Sequence, residues 1–208
     1  MSEVAIVAPT AQEAAGLGAV GLEAVVGGVG PVEMAATVAR LLREGARSLI
    51  LAGIAGAYAG SGLEVGQSVL VETECTADVG TFRNGIFNPL FVREYRCPYV
   101  AGVGFRRVAS NSVSAAGAPF VRERASAAGA SFAEEGASVG ASFAGGGAQI
   151  ENMEGAAFFA LCLDAGVRFV ELRAISNIVA EPRENWRVEE AIAILGQELK
   201  KLLNAIEA

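Results

Sequence analysis

The chain has 208 residues, of which 52% are hydrophobic and 19% are charged, a length and composition typical of a single domain with a full core. Its 16 basic and 23 acidic residues give a net charge of −7, which opposes attraction to phosphate backbones and argues against a nucleic-acid partner. The sequence has no histidine, and its three cysteines form no CxxC pattern, so it predicts neither a zinc site nor a disulfide framework.

The start of the chain, MSEVAIVAPTAQE, runs directly into an apolar segment. It has neither the basic region nor the cleavage pattern of a secretion signal. No apolar run of the chain approaches the ~18 to 20 residues that a membrane-spanning helix needs. We therefore expect a cytoplasmic protein without a membrane partner.

Short runs of Val, Ile and Leu alternate with helical patterns and glycines, which predicts an α/β domain with a largely buried sheet. In chain order, strands are predicted at 4–8, 22–28, 48–54, 66–72, 106–114 and 168–176. Helices are predicted at 31–44, with proline at its start and Gly45 after its end, at 153–166 and at 186–206. One apolar face of the last helix is expected to pack on the sheet, and it comprises Val188, Ile192, Leu195, Leu199, Leu202 and Ile206.

Residues 125–148 differ in composition from the rest of the single predicted domain, 1–208. Ala, Ser and Gly dominate them, and GASF occurs twice. Because small residues bury little apolar area, we interpret the segment as a weak helix or a surface excursion. Two copies of so short a unit do not make a repeat architecture.

Two glycine-rich segments suggest nucleotide binding, but both lack essential residues. GGVGPVE offers Gly28 and Gly30 but has Glu33 where a dinucleotide loop needs its third glycine, and no convincing ribose-binding acid follows. LAGIAGAYAG lacks the GK[ST] ending of a P-loop. Its glycines are more consistent with a close approach of the backbone to a ligand.

Three polar residues are candidates for a functional site. Glu13 follows the first predicted strand, Glu154 begins a predicted helix, and Asn177 follows the last strand. Loops at the carboxyl ends of parallel strands commonly carry the site in α/β proteins. Taken singly, the two acids are also explained as helix-start residues, with Asn152 as a possible cap beside Glu154, and Asn177 as a turn residue.

The order of five segments carries a resemblance to a known family. VAIVAPTAQE, GVGPVEMA, AGIAGA, NMEGAA and RAISN resemble the nucleoside phosphorylase and nucleosidase superfamily along most of the chain, apart from residues 115–148. Within it, NMEGAAFFALC and RAISNIVAEPRENW are similar to the hydrolases, a branch with methylthioadenosine/S-adenosylhomocysteine nucleosidases and futalosine hydrolases, and they point to the latter. The resemblance implies a three-layer α/β/α fold with a mixed, twisted central sheet, a homodimer, and no cofactor or metal.

The resemblance also implies roles for three residues. Hydrolases of this family cleave the N-glycosidic bond of a purine nucleoside through an oxocarbenium-like transition state, whose positive charge carboxylates stabilise. Glu13 would orient and deprotonate the attacking water. Glu154 would hold the ribose 2′-hydroxyl, with Met153 packing on the sugar face.

The GIAG turn at 53–56 is expected to bind substrate through Ile54, Ala55 and Gly56. Phosphorylases of the superfamily surround a phosphate with arginines and a hydroxyl, whereas this turn carries no Ser or Thr and has no arginine nearby in the sequence. A carboxylate at Glu13 would also repel phosphate. Water is therefore the expected nucleophile.

Asn177 occupies the position at which the methylthioadenosine branch has an aspartate that serves as proton donor to the adenine ring. An amide donates to a ring nitrogen or a 6-oxo group and accepts from a ring N–H. The expected base is therefore a 6-oxopurine such as hypoxanthine. Arg173 and Ser176 are expected to hold Asn177 and its loop in place.

The implied activity is hydrolysis of futalosine to hypoxanthine and dehypoxanthine futalosine, within menaquinone biosynthesis. Futalosine extends inosine beyond its 5′ carbon with a chain that ends in a benzoate. Phe82 and Phe87 are expected to cover this tail, and one of Arg83, Arg93 and Arg96 to meet its carboxylate. The same segment is also explained as a hydrophobic flap or a subunit contact.

Two alternatives stay open at this point. A methylthioadenosine/S-adenosylhomocysteine or aminofutalosine nucleosidase would share the chemistry, but Asn177 disfavours it. A non-catalytic nucleoside-binding protein would share the fold, but the joint presence of Glu13 and Glu154 disfavours it.

Overall fold

A computed structural model describes residues 4–84, 86–90, 93–100, 104–116 and 147–207. The helices are Ala11–Ala19 (α1), Pro31–Arg43 (α2), Gly155–Asp164 (α3) and Val188–Glu207 (α4), with a short 3₁₀ helix at Arg183–Asn185. The strands are Val4–Ala8 (β1), Val25–Val26 (β2), Ser48–Ala57 (β3), Ser68–Thr76 (β4), Gly80–Arg83 (β5), Ile86–Pro89 (β6), Glu94–Arg96 (β7), Arg107–Ser112 (β8), Ile150–Asn152 (β9) and Arg168–Ile178 (β10). Of the segment predicted to be an excursion, 125–148, only residues 147 and 148 are among the described residues.

The main sheet is mixed, and five of its strands close into a ring. β3 runs parallel to β10 and antiparallel to β9, and β10 pairs antiparallel with β4. β4 and β9 are then joined through β8, which is parallel to both. Outside the ring, β1 and β2 extend the sheet from β3, β7 pairs with β4, and β5 with β6 forms a separate hairpin. The predicted α/β fold with a mixed central sheet is confirmed, and the closed ring is an addition to it.

The core lies between the sheet and the helices that cover it. Phe158 and Phe159 of α3 are fully buried and meet Phe169 of β10, whose ring centroid is 4.9 Å from that of Phe159. On α4, the predicted apolar face is buried at Leu195, Leu199 and Leu202, whereas Ile206 is 47% exposed. No helix of the described residues is long and apolar enough to cross a membrane.

Three parallel strands bring the predicted functional residues to one edge of the sheet. β1, β3 and β10 run in the same direction, so their carboxyl ends lie together. Glu13 follows β1 in the first turn of α1, and Asn177 lies near the end of β10. The GIAG segment, residues 53–56, lies in the second half of β3 and is extended strand rather than the expected turn. The topology therefore assembles residues that are far apart in the sequence.

A β-bulge interrupts β10 where it reaches this edge. Ile175 pairs with Ala55 and Asn177 with Gly56, so Ser176 is an extra residue with no counterpart on β3. In a regular strand, neighbouring side chains point to opposite faces, but a bulge re-aims them. Ser176 and Asn177 consequently reach the same cavity.

Candidate active site

A cavity of about 220 Å³ opens at the carboxyl ends of β1, β3 and β10. Nine residues predicted from the sequence line it: Glu13, Ile54, Ala55, Gly56, Met153, Glu154, Arg173, Ser176 and Asn177. Phe82 and Phe87 pair with each other in the β5–β6 hairpin, but their side chains lie outside the described part of the structure. Their role stays a prediction.

Glu13 is held at the start of α1 by hydrogen bonds to both carboxylate oxygens. Oε2 accepts from the backbone N–H of Thr10 at 2.8 Å and from its hydroxyl at 2.5 Å. The backbone N–H of Glu13 donates in turn to Thr10 Oγ1 at 3.2 Å, which completes a capping box. Oε1 accepts from the backbone N–H of Ile54 at 2.9 Å. The residue is only 2% exposed, so it is not a solvated helix-start acid.

Burial raises the pKa of the Glu13 carboxyl above its ordinary value of 4.5, and the nearby charge of Glu154 adds to the increase. Hydrogen bonds from Thr10 and Ile54, and the charge of Arg173, oppose this increase. A carboxylate with a raised pKa is a stronger base. The environment of Glu13 therefore suits proton abstraction.

Glu154 precedes α3 and is held by two elements that are distant in sequence. Its Oε1 accepts from the backbone N–H of Gly30 at 3.1 Å, and its Oε2 accepts from Arg173 Nη2 at 3.3 Å. Gly30 has a φ of +89°, which favours glycine. The glycine-rich loop 27–33 thus binds a carboxylate of the site. Asn152 caps the helix as expected, because its Oδ1 accepts from the backbone N–H groups of residues 154 and 155.

Arg173 is fully buried and joins three parts of the site. Its Nε donates to Glu171 Oε1 at 2.7 Å, Nη2 donates to Glu154, and Nη1 donates to the carbonyl of Ile54 at 3.1 Å. Two expectations need correction. An arginine does lie at the GIAG segment, brought there by β10, and it contacts Glu154 and Glu171 rather than holding Asn177. Each of its three nitrogens has an acceptor, and two of these acceptors are carboxylates.

Gly53 allows Arg173 and Glu13 to approach the same stretch of β3. A Cβ atom at this position would lie 2.6 Å from Arg173 Nη1 and 3.1 Å from Glu13 Oε1. Real Cβ contacts are essentially never as short as the first of these distances. Any larger residue at position 53 would therefore displace the guanidinium group.

Ser176 and Asn177 form a polar pair at the bulge. The Ser176 hydroxyl lies 2.8 Å from Asn177 Oδ1 and 3.3 Å from the carbonyl of Ala55, and it can donate to either. Asn177 Nδ2 donates to the carbonyl of Ile178 at 3.1 Å. Ser176 therefore holds the amide of Asn177, as expected from the sequence.

A second pair of carboxylates lies behind the site and was not predicted. Glu74 and Glu171 are both 0% exposed. Asn152 Nδ2 donates to both of them, and the Ser112 hydroxyl donates to Glu74 at 2.8 Å. A Cβ at Gly155 would overlap Glu74 Oε1 and lie 2.7 Å from Glu171 Oε2, so both carboxyl groups converge on this glycine.

Burial, and then the charge of Glu171, raises the pKa of Glu74 to about 8. Burial also raises the pKa of Glu171, which the neighbouring Arg173 charge opposes. Of the two carboxyl groups, Glu171 is the one that accepts directly from Arg173, at 2.7 Å, whereas a pKa of about 8 keeps Glu74 protonated at neutral pH.

We expect Glu74→Gln to reduce the loss of stability at alkaline pH. The folded state holds this proton with a pKa of about 8, against the ordinary 4.5, so between these values the folded state binds more protons than the unfolded state. Stability that is complete below pH 4.5 is thus lost as the pH rises through about 8. Glutamine has the shape of the protonated acid but does not titrate.

The measurement is the melting temperature from pH 5 to pH 9. The wild-type curve should fall more steeply with pH than that of the variant, which keeps the contributions of Glu13 and Glu171. Glu23→Gln, at an exposed carboxylate, is the matched control and should follow the wild type. Parallel curves for all three proteins would contradict the role of Glu74.

Other residues of the cavity were also not predicted as site residues. Glu151, Asn152 and Trp186 line it. Asn152 had been considered only as a cap, and Trp186, the single tryptophan of the chain, lies within the segment that carries the family resemblance. Among the described residues, no group of three or more His, Cys, Asp or Glu side chains could hold a metal ion.

Comparisons with known proteins agree with this geometry. Residues 16–208 match the profile of the Phosphorylase superfamily. Over 189 residues the chain is 34% identical to the futalosine hydrolase of Thermus thermophilus, an alignment that covers 85% of this chain and 78% of that protein.

Solved structures show the same fold at low sequence identity. The 5′-methylthioadenosine nucleosidase of Arabidopsis thaliana has a TM-score of 0.76 at 17% identity, covering 100% of this chain and 97% of that one. The futalosine hydrolase of Helicobacter pylori has a TM-score of 0.72 at 15% identity, covering 97% of both chains. The chain thus belongs to the phosphorylase superfamily and, by its similarity to the Thermus protein, to the futalosine hydrolase family within it.

Proposed function

We propose that this protein hydrolyses the N-glycosidic bond of futalosine, releasing hypoxanthine and dehypoxanthine futalosine for menaquinone biosynthesis. The observation that carries the proposal is the meeting of Glu13, Glu154 and Asn177 around one cavity, in a chain that is 34% identical to a futalosine hydrolase. Neither a metal nor a cofactor takes part in the proposed reaction.

In the proposed reaction, a water oxygen bonds to C1′ of the ribose while the bond from C1′ to the purine nitrogen breaks. The electron pair of the broken bond goes to the purine, which takes up one proton from solvent and leaves as neutral hypoxanthine. Glu13 accepts a proton from the attacking water and then returns it to solvent. Glu154 accepts a hydrogen bond from the ribose 2′-hydroxyl. Both carboxylates are buried, so their charge stabilises the developing oxocarbenium ion more strongly than it would in water.

Arg173 positions both carboxylates for these roles. It donates to Glu154 and to the carbonyl of Ile54, whose N–H binds Glu13. Its third contact is Glu171, so two carboxylates pair with its charge. This supports water rather than phosphate as the nucleophile.

The tail of futalosine has a neighbouring cavity available. A second cavity of about 200 Å³ shares Val113 and Met153 with the first and is also lined by Tyr95. The guanidinium group of Arg93 lies 5.1 Å from the centre of the Tyr95 ring, whereas Arg96 is paired with Glu72. Arg93 is therefore a better candidate than Arg96 to meet the benzoate. The homodimer and the cytoplasmic location stay predictions.

The experiment that tests the function is a comparison of nucleosides. The protein is incubated with futalosine, aminofutalosine, methylthioadenosine and inosine, with and without phosphate, and the free base is quantified by chromatography. We expect hypoxanthine from futalosine at a rate independent of phosphate. Preferential release of adenine, a dependence on phosphate, or binding without release would each refute the proposal.

We expect Asn177→Asp to shift the preference toward 6-aminopurines. A carboxylate accepts from a 6-amino group, and a carboxylic acid protonates the purine, whereas the amide suits a 6-oxopurine. The ratio of kcat/KM for aminofutalosine to that for futalosine should rise about tenfold or more, the scale of one buried hydrogen bond. Asn204→Asp, at an exposed position on α4, is the control and should leave the ratio unchanged. An unchanged ratio in Asn177→Asp would remove this residue from base recognition.

A further inference from the structure

Glu151 and Asn177 lie on either side of one glycine in the sheet. Gly56 of β3 is paired with Asn177 on β10 and with Glu151 on β9. Residues paired directly across strands direct their side chains to the same face of the sheet. The backbones of Glu151 and Asn177 are separated by two strand spacings, roughly 9–10 Å. This distance is wide enough for a flat ring between the two side chains.

Gly56 keeps the space between them open. A Cβ at this position would lie 3.1 Å from Asn177 Nδ2, tighter than most real contacts. All three residues line the cavity of the site. The row Asn177, Gly56 and Glu151 therefore forms a floor with a polar group at each end.

A chain of hydrogen bonds makes Glu151 a hydrogen-bond acceptor. Asn111 Nδ2 donates to the Tyr58 hydroxyl oxygen at 3.1 Å, and that hydroxyl donates to Glu151 Oε2 at 3.0 Å. Burial, and then the charge of Glu151, raises the pKa of Tyr58, so the phenol keeps its proton. The chain runs from donor to acceptor and ends on Glu151, which makes this side chain an acceptor. Tyr58 is one of its partners, and a carboxylate has about four acceptor positions.

We propose that Glu151 is a specificity-determining residue that accepts a hydrogen bond from the N1–H of a 6-oxopurine, while Asn177 binds the opposite side of the base. The inference rests on the proposed function and adds a second residue that recognises the base, at the side opposite Asn177. A 6-oxopurine presents an N–H at ring position 1, whereas adenine presents a lone pair there. A carboxylate facing that lone pair is repulsive and leaves a buried charge without its partner.

The first test is the substitution Glu151→Gln. The amide has the same shape as the carboxylate, but it carries no charge and can turn its NH₂ group toward N1 of adenine. We expect kcat/KM for futalosine to fall about 10- to 100-fold, the effect of losing one charged hydrogen bond. The ratio of aminofutalosine to futalosine turnover should rise by a similar factor. Tyr58→Phe should shift the same ratio less, because it only loosens Glu151.

The second test uses the wild-type protein and therefore does not depend on the folding of a variant. Hypoxanthine and 1-methylhypoxanthine are titrated against it, and binding is followed by the fluorescence of Trp186, which lines the cavity. The methyl group replaces the hydrogen that Glu151 is proposed to accept. We expect at least tenfold weaker binding of the methylated base.

The outcomes separate this inference from the function on which it rests. If the wild-type protein releases no base from futalosine, the proposed function fails. If it releases hypoxanthine, but Glu151→Gln keeps the 6-oxo to 6-amino preference and both bases bind equally well, only the role of Glu151 is overturned. A folding role alone would lower both activities by the same factor without changing their ratio.

Discussion

Glu13→Gln is expected to retain the fold and substrate binding but to lose nearly all turnover. A positioned general base contributes typically ~10² to 10⁴ in rate, and an amide cannot accept the proton. Glutamine at the third helical position also suits a capping box, so the start of α1 should persist. The measurements are kcat for futalosine, and futalosine binding followed by the fluorescence of Trp186, which lines the same cavity.

The pH dependence adds a second criterion for Glu13. Burial raises the pKa of its carboxyl above 4.5, and the base must be ionised. The kcat/KM of the wild type should therefore fall as the pH drops through that raised pKa, and this decline should be absent from the residual activity of the variant. Glu23→Gln is the control and should behave as the wild type. Retention of most of the wild-type kcat in Glu13→Gln would remove Glu13 from the mechanism.

Arg173→Met is expected to have the largest effect on stability. It leaves Glu154 and Glu171 buried without their cation, and breaking a buried ion pair in this way costs about 3–5 kcal/mol. Without the arginine, the pKa of Glu171 should rise further. The loss should therefore be larger at pH 8.5 than at pH 5.5, where protonation relieves the unpaired charge.

Urea denaturation at the two pH values measures this effect. Arg40→Met is the matched control, because it removes an exposed i,i+4 pair with Glu44, which is worth only about 0.3–0.5 kcal/mol. Arg173→Lys keeps the charge but lacks the fork that reaches three acceptors, so it should restore part of the stability and little of the activity. Equal losses at both pH values would show that the charge of the carboxylates is not the cause.

The sequence predicts the strands of the buried sheet well because their apolar runs are continuous. β1 has the predicted bounds, and β3 and β10 extend the predicted strands by a few residues. The short strand β9 was missed, since Ile150–Asn152 contains two polar residues. For helix α1, the sequence indicated only a possible start at Glu13 and not the extent of the helix, because the helix contains glycines. One of them has a tertiary reason, since a Cβ at Gly16 would overlap Ile192 of α4.

Nine residues that line the cavity were predicted through family resemblance, and the contacts that connect them were not. Glu171 lies within the apolar run of β10, and nothing in the sequence indicates that its carboxylate meets Arg173. Glu74 lies on β4, whose partners are set by closure of the ring. The bulge at Ser176 likewise depends on the pairing with β3. Such features follow from tertiary pairing, which local periodicity does not encode.

Gly155 lies in a short motif that both lines the cavity and packs against the buried carboxylates behind it. Met153 and Glu154 face the cavity, whereas the next residue lies against Glu74 and Glu171 on the other side. In a mutational scan scored by activity, position 155 should group with the catalytic residues although it has no functional group. A substitution there would push Glu74 and Glu171 away and thereby shift Arg173. Because Arg173 also holds Glu154, the proposed ribose-binding carboxylate would lose its position and activity would fall. Loss of activity at position 155 would thus report a steric constraint and not a catalytic group.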